Sequence, residues 1–149
     1  MIVDTPRMAE EAVIPDLVEL VRRSIQAASD RDLDLVLTLY APDAVWDMSP
    51  LGMGTFEGTK AIRGFMEDWL GAYEEYAMEA EAIADLGSGV SFAVILQKGR
   101  LVGSSGEVHL TYASTGVWEN GVMRRSTNYG DIDEAHAAAE RLAQERAAG

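Results

Sequence analysis

Residues 32–73 read DLDLVLTLYAPDAVWDMSPLGMGTFEGTKAIRGFMEDWLGAY, an order of signals that runs helix, breaker, strand, loop, helix. Asp32 is placed to cap a short helix over residues 33–40, whose Leu33, Val36, Leu37 and Tyr40 form one apolar stripe. Ala41-Pro42-Asp43 must end it, because proline lacks an N–H and pushes the residue before it out of helical backbone. Residues 44–48 then have the composition of a brief strand. A Pro- and Gly-rich loop leads to Phe56-Glu57-Gly58, and Thr59 is expected to cap an amphipathic helix. On that helix Ile62, Phe65, Met66, Trp69 and Tyr73 share a face; such an aromatic stripe is core more often than it is a wall for a ligand. The order puts Asp47 on a strand that a helix will cover, where a carboxylate can do acid–base work.

Upstream, residues 1–14 mix charge with Pro6 and show no period, so they read as an extension to a single domain over residues 15–147. Pro15 suits a helix start. From Asp16 on, Leu17, Leu20, Val21, Ile25 and Ala28 are spaced for one helical face. Ser24 is the polar member of that face, either bonded back to its own helix or turned to a pocket.

Downstream, residues 74–86 favour helix by propensity and strand by alternation; strand is preferred, with the resemblance described below deciding it. Gly87-Ser88-Gly89 reads as a turn and residues 90–97 as a central strand. Lys98-Gly99-Arg100 reads as the next turn, with Gly103-Ser104-Ser105-Gly106 interrupting the returning strand. Residues 107–118 and 122–129 flank Asn120-Gly121, the strongest hairpin signal in the chain. Asp131 and Glu134 resemble a capping box at the start of an Ala-rich helix. Helices first and a four-strand meander after them define an α+β domain.

At 149 residues with 48% apolar content, one domain with a real core is the economical reading. A net charge of −13 repels phosphate backbones and anionic lipid surfaces, which disfavours nucleic-acid and membrane-surface roles. No cysteine is present, so disulfides, thiolate nucleophiles and Cys-ligated metals are out. The acidic N-terminus lacks the pattern of a signal peptide, and no apolar run is long enough to span a membrane. A cytoplasmic protein is expected.

Several chemistries lack their motifs. There is no phosphate-binding loop with its lysine, no G-x-S-x-G elbow, and no H-E-x-x-H; His109 and His136 stand far apart on different elements. No cofactor and no metal are expected. What remains is a set of polar groups that alternation gathers on sheet faces. Tyr112, Ser114, Gly116 and Trp118 share one face, and Arg125, Thr127 and Tyr129 share one face of the next strand. If these faces coincide, Arg125 and Tyr129 join Tyr112 and Trp118 around a cavity, and Arg125 needs an acid or an anion there. Asp47 is the candidate. The alternatives are a structural Arg125–Asp47 ion pair and an Arg125 that faces solvent.

With these residues placed, the chain resembles the nuclear transport factor two-like superfamily, in its SnoaL-like polyketide cyclase and ketosteroid isomerase branch. The carriers are Asp32-Leu33-Asp34, Leu39 to Trp46, Phe56 to Arg63, Trp118 to Gly121, and Arg125 to Asp131. The resemblance implies a cone-shaped, curved mixed sheet (a cystatin-like α+β barrel) around a pocket closed by N-terminal helices. It also implies a homodimer through the outer sheet face and a small-molecule ligand. It aligns the isomerase's general-base aspartate with the stretch holding Asp47. The isomerase's two oxyanion donors fall at Ser24 and near Ser114, so steroid isomerisation by that mechanism is not expected. Arg125, Tyr129 and Asp131 match the ending of many SnoaL-like sequences and are carried over as pocket-edge candidates.

The leading expectation is a cofactor-free acid–base enzyme of isomerase, cyclase or hydrolase type. Asp47 would take a proton, Arg125 and Tyr129 would stabilise an oxyanion, and Trp46, Trp69, Tyr112 and Trp118 would form apolar walls. The rivals are a binding protein with the same pocket and no chemistry, and a dimer whose cone is filled by its own side chains. Small residues at Ser24, Ser114 and Gly116 favour an open cavity over a filled one.

Overall fold

The computed structural model describes residues 16–149; the extension at residues 1–14 and the role of Pro15 lie outside them. Helix α1, Leu17–Ser29, is capped by Asp16, whose carboxylate accepts the Glu19 N–H at 2.8 Å. Asp32 does the same for Leu35 at the start of α2, Leu33–Thr38. Leu20, Val21 and Ile25 of α1 and Val36 of α2 are buried, as their spacing requires.

After α2 the chain does not pause. Strand β1 spans Tyr40–Asp47 and runs straight through the expected breaker. Its pairing with the last strand slips between Tyr40 and Val45, so Pro42 sits where no regular ladder needs its N–H. A 3-10 turn at Ser49–Leu51 and a short β2, Thr55–Glu57, lead to α3, Thr59–Gly71. The cap of α3 is Gly58, at φ 86°, and Thr59 is the first helical residue. A left-handed backbone there suits glycine and not threonine.

Four strands follow as a meander: β3 Tyr73–Gly87, β4 Val90–Leu101, β5 Glu107–Glu119 and β6 Val122–Tyr129. The alternation at residues 74–86 does make a strand. Lys98-Gly99-Arg100, in contrast, is not a turn, because β4 continues through it. Gly99 has another cause: a Cβ there would lie 2.6 Å from the Tyr73 ring and 2.8 Å from the Glu75 carbonyl oxygen. The reversal falls after it, over residues 102–106. Asn120 and Gly121 adopt φ 55° and 82°, the left-handed pair that a tight hairpin demands.

The six-stranded curved sheet has the order β2-β1-β6-β5-β4-β3, with β1 and β6 parallel and every other neighbour antiparallel. Its inner face carries the main core, shared with α1, α2 and α3. On its outer face lies α4, Ile132–Ala148, capped by Asp131 through the Glu134 N–H at 3.0 Å. Ala135, Ala139 and Ala143 of α4 pack on Val90, Phe92 and Ala113. Alanines let the helix lie close to the strands. No helix among the described residues is long and apolar enough to cross a membrane.

Candidate functional site

Between the inner sheet face and helices α1 to α3 lies a cavity of about 310 Å³. Met53 and Leu110 line it yet are 36% and 39% exposed, so it opens to solvent between the loop after β1 and strand β5. One wall is aromatic. Trp46 meets Phe65 edge-on at 5.3 Å between ring centroids, and Phe65 stacks on Trp69 at 5.9 Å. Gln97, 2% exposed in the middle of β4, fixes the far end of that wall. Its Oε1 accepts Trp69 Nε1–H at 3.2 Å and the Tyr76 hydroxyl at 3.0 Å, while its Nε2 donates to the Tyr73 hydroxyl at 3.1 Å. A single amide thus pins three rings.

The cavity is polar in places but uncharged. Among the described residues that line it there is no Asp, Glu, His, Lys or Arg. Its ionisable groups are Tyr40, Tyr76 and Tyr112, and burial pushes all three phenols well above their ordinary pKa. The Ser24 hydroxyl beside Tyr40 works the other way without cancelling that effect. For Tyr112 the neighbouring Tyr76 and Tyr40 add to it. The remaining polar groups are short: Ser91, Ser114, Ser126 and Asn128 among them. Ser91 is committed, accepting Trp118 Nε1–H at 3.0 Å. Gly116 makes room for that bond, since a Cβ on it would stand 2.7 Å from Ser91 Oγ and 2.9 Å from Trp118 Nε1. Its small size serves packing more than cavity volume. Among the described residues, no group of three or more His, Asp and Glu could hold a metal ion.

Of the residues singled out from sequence, Trp46, Trp69, Tyr112 and Ser114 line the cavity, as does Ser24. Trp118 is 4% exposed and packs within the core. Asp47, Arg125, Tyr129 and Asp131 are elsewhere. The expected convergence of Arg125 and Tyr129 with Tyr112 and Trp118 does not occur, and the cause is one residue. Trp118 pairs with Met123, but Val117 pairs with Arg125, so Arg124 is an extra residue bulged out of the ladder. Past the bulge the parity is reversed. Ser126 and Asn128 oppose Gly116 and Ser114 on the inner face; Arg125, Thr127 and Tyr129 oppose Val117, Thr115 and Ala113 on the outer one.

Asp47 follows them outward, as the parallel partner of Thr127. Its carboxylate accepts the Ser49 N–H (2.9 Å), the Ser49 hydroxyl (2.6 Å), the Thr55 hydroxyl (3.2 Å) and Arg125 Nη2–H (2.8 Å). Burial works to raise its pKa, but the Ser49 donors and the Arg125 guanidinium outweigh that and hold the carboxyl below its ordinary value. The structural ion pair is therefore the arrangement found. Arg125, Thr127 and Tyr129 edge a second, outer hollow of about 270 Å³ against α4. Asp131 is spent as the cap of α4. Sequence reading missed Gln97, Tyr40, Tyr76, Ser126 and Asn128. Gln97 was visible as a polar residue inside an apolar central strand; Ser126 and Asn128 were hidden by the bulge.

Comparison with known proteins agrees with this architecture. The SnoaL-like domain family matches residues 21–126. A protein with a ketosteroid isomerase-like fold from Catenulispora acidiphila, solved with trimethylamine, superposes at a TM-score of 0.68 with 15% identity, over 81% of this chain and 92% of that one. An NTF2-like protein of unknown function from Burkholderia pseudomallei gives 0.65 and 25% identity, over 78% and 91%. TerC, co-crystallised with polyporic acid, gives 0.65 and 18% identity, over 83% and 97%. No curated protein matches the chain. The expected fold is the fold found.

Proposed function

The chain belongs to the SnoaL-like domain family, and from that premise we propose that its cavity binds a neutral, flat, largely apolar molecule carrying a hydrogen-bonding oxygen. The observation that carries this reading is the cavity lining, which holds no charged side chain among the described residues and three phenols kept protonated by burial. A volume of about 310 Å³ stands at the lower end of small-molecule sites, room for one or two rings. The complexes of two structural neighbours with trimethylamine and polyporic acid are in keeping with ligand binding on this fold.

Cofactor-free acid–base catalysis of isomerase, cyclase or hydrolase type has less support. Its base would be Asp47, which lies on the other face of the sheet and already accepts four hydrogen bonds. A carboxyl held below its ordinary pKa is also a weaker base. Homodimerisation through the outer sheet face would have to use the part that α4 leaves open.

Isothermal titration with 1-tetralone, a bicyclic ketone, tests the reading. Saturable one-to-one binding is expected, lost in Ser24→Phe, which fills the cavity from α1, and kept in Asp47→Asn. Circular dichroism melts establish that both variants fold. No binding by wild type, or binding indifferent to Ser24→Phe, would sink the cavity as the site. Conversion of a bound ketone to product, stopped by Asp47→Asn, would return the enzyme reading to the front.

A further inference from the structure

The alanine face of α4 lies on Val90, Phe92 and Ala113, so the helix sits over β4 and β5 and leaves a trough along β6. That trough is the outer hollow of about 270 Å³. Ala138, Arg141, Leu142 and Glu145 reach it from α4, at the spacing of one helical face. Thr115 and Val117 reach it from the outer face of β5, and Thr127 and Tyr129 from that of β6. Val117, Ala138 and Leu142 make its apolar part.

Its polar groups are uncommitted. Among the described residues, the hydroxyls of Thr115, Thr127 and Tyr129 make no hydrogen bond, yet the one side-chain polar atom both partnerless and shut off from solvent is Asn128 Nδ2. The three hydroxyls therefore open onto space, and on this face of the sheet the space is the hollow. Burial raises the Tyr129 pKa, with Glu134 and Asp47 adding to it and Arg141 and Arg125 opposing, so the phenol stays a donor at neutral pH. Arg141 is the charged donor. The chain has 25 acidic residues to 12 basic ones, enough carboxylates to pair every cation. Arg125 and Arg146 are held by Asp47 and Glu119, but Arg141 pairs with no carboxylate among the described residues. Glu145, one turn further along α4, lines the same hollow without closing on it.

We propose that the outer hollow is a second ligand site, which holds the carboxylate of a small aromatic monoacid on Arg141 and the Tyr129 hydroxyl, with the ring on Val117 and Leu142. A planar guanidinium matches a carboxylate by its two parallel N–H groups, and Thr115 and Thr127 offer further donors. One uncommitted cation beside apolar side chains suits a monoanion that carries a ring. A phosphate dianion suits it poorly, because Arg125 is already neutralised by Asp47 and Glu145 repels a second negative charge. The site lies across the sheet from the central cavity and does not depend on what fills that cavity.

Benzoate, benzyl alcohol and benzylammonium share a ring and differ in charge, and titration of each into isotope-labelled protein, followed by NMR, tests the site. Wild type is expected to bind benzoate about fivefold tighter than benzyl alcohol, the effect of a charge-assisted contact at a partly open site. The shifts should centre on the residues of β5, β6 and α4 around the hollow. Arg141→Gln should bring benzoate to within about twofold of the alcohol, and Glu145→Gln should tighten benzoate by removing a like charge. Ser24→Phe, on the other side of the sheet, should leave benzoate binding as it is. Circular dichroism melts establish that the three variants fold. Benzoate no tighter than the alcohol, or benzylammonium the tightest of the three, would overturn the site. So would a benzoate affinity untouched by Arg141→Gln, weakened by Glu145→Gln or lost in Ser24→Phe, or shifts centred on the cavity.

Discussion

The two faces of strand β6 lie a single residue apart along the chain and carry opposite chemistry. On the inner face Ser126 and Asn128 are 5% and 3% exposed and uncharged. On the outer face Arg125, 47% exposed at its side chain, is paired with Asp47 at 2.8 Å. The ion pair looks like catalytic equipment, yet it sits where water still reaches the guanidinium. Moving it into the cavity would strip both ions of solvent, and one ion–ion contact rarely repays that. The neutral amide and hydroxyls lose less on burial. In this molecule the charged pair ties β1 to β6 on the outer face, and the uncharged residues face the cavity.

The sharpest way to break this comparison is to place the same charge on each face. Ser126→Glu buries a carboxylate without a partner and is expected to cost about 3 kcal/mol or more at neutral pH, easing as acid protonates it. Thr127→Glu, on the outer face beside Arg125 and Arg141, should change stability by less than about 1 kcal/mol. Urea denaturation of the two variants checks both, and similar losses would mean that the faces are misassigned.

Asp47→Asn comes next. Removing the charge-assisted bonds should cost about 1–2 kcal/mol at pH 7. The sign with pH follows from the depressed carboxyl pKa. The stabilisation is complete above the ordinary aspartate value of about 3.9 and disappears as pH falls through the lower folded value. Wild type and variant should therefore converge in strong acid, as read by denaturation at pH 7 and pH 2.5.

Deletion of Arg124 should have the smallest effect. It removes the bulged residue and two exposed ion pairs, to Asp43 and Glu119, while leaving Met123 and Arg125 on the faces they now occupy. A loss of less than about 1 kcal/mol with intact 1-tetralone binding is expected. A collapsed or non-binding product would show that the bulge does more than absorb a residue.

The bulge also marks where sequence reading stops. Caps at Asp32 and Asp131, alternation in β5, and the Asn120-Gly121 turn are local, and each was legible because its cause lies within a few residues; β3, where propensity and alternation disagree, needed the family resemblance. Alternation put Tyr112 and Ser114 on one face and helical period put Trp69 on a buried stripe, while Trp46 was named a wall only with the family resemblance. Gly99 and Pro42 misled because their causes are distant: the Tyr73 ring against one, a slipped parallel pairing around the other. Arg124 carries no turn residue or glycine to announce an insertion, so regular alternation carried Arg125 and Tyr129 to the wrong face. Asn128 was hidden by that parity.

The most direct test is the pH profile of 1-tetralone affinity for wild type and Asp47→Asn. A cavity lined without charged groups, and with phenols titrating well above their ordinary range, predicts a constant within about twofold from pH 5 to 9 for both proteins. An affinity that changes with a carboxylate-like inflection in wild type and flattens in Asp47→Asn would contradict the account, by coupling Asp47 to the cavity it is here placed behind.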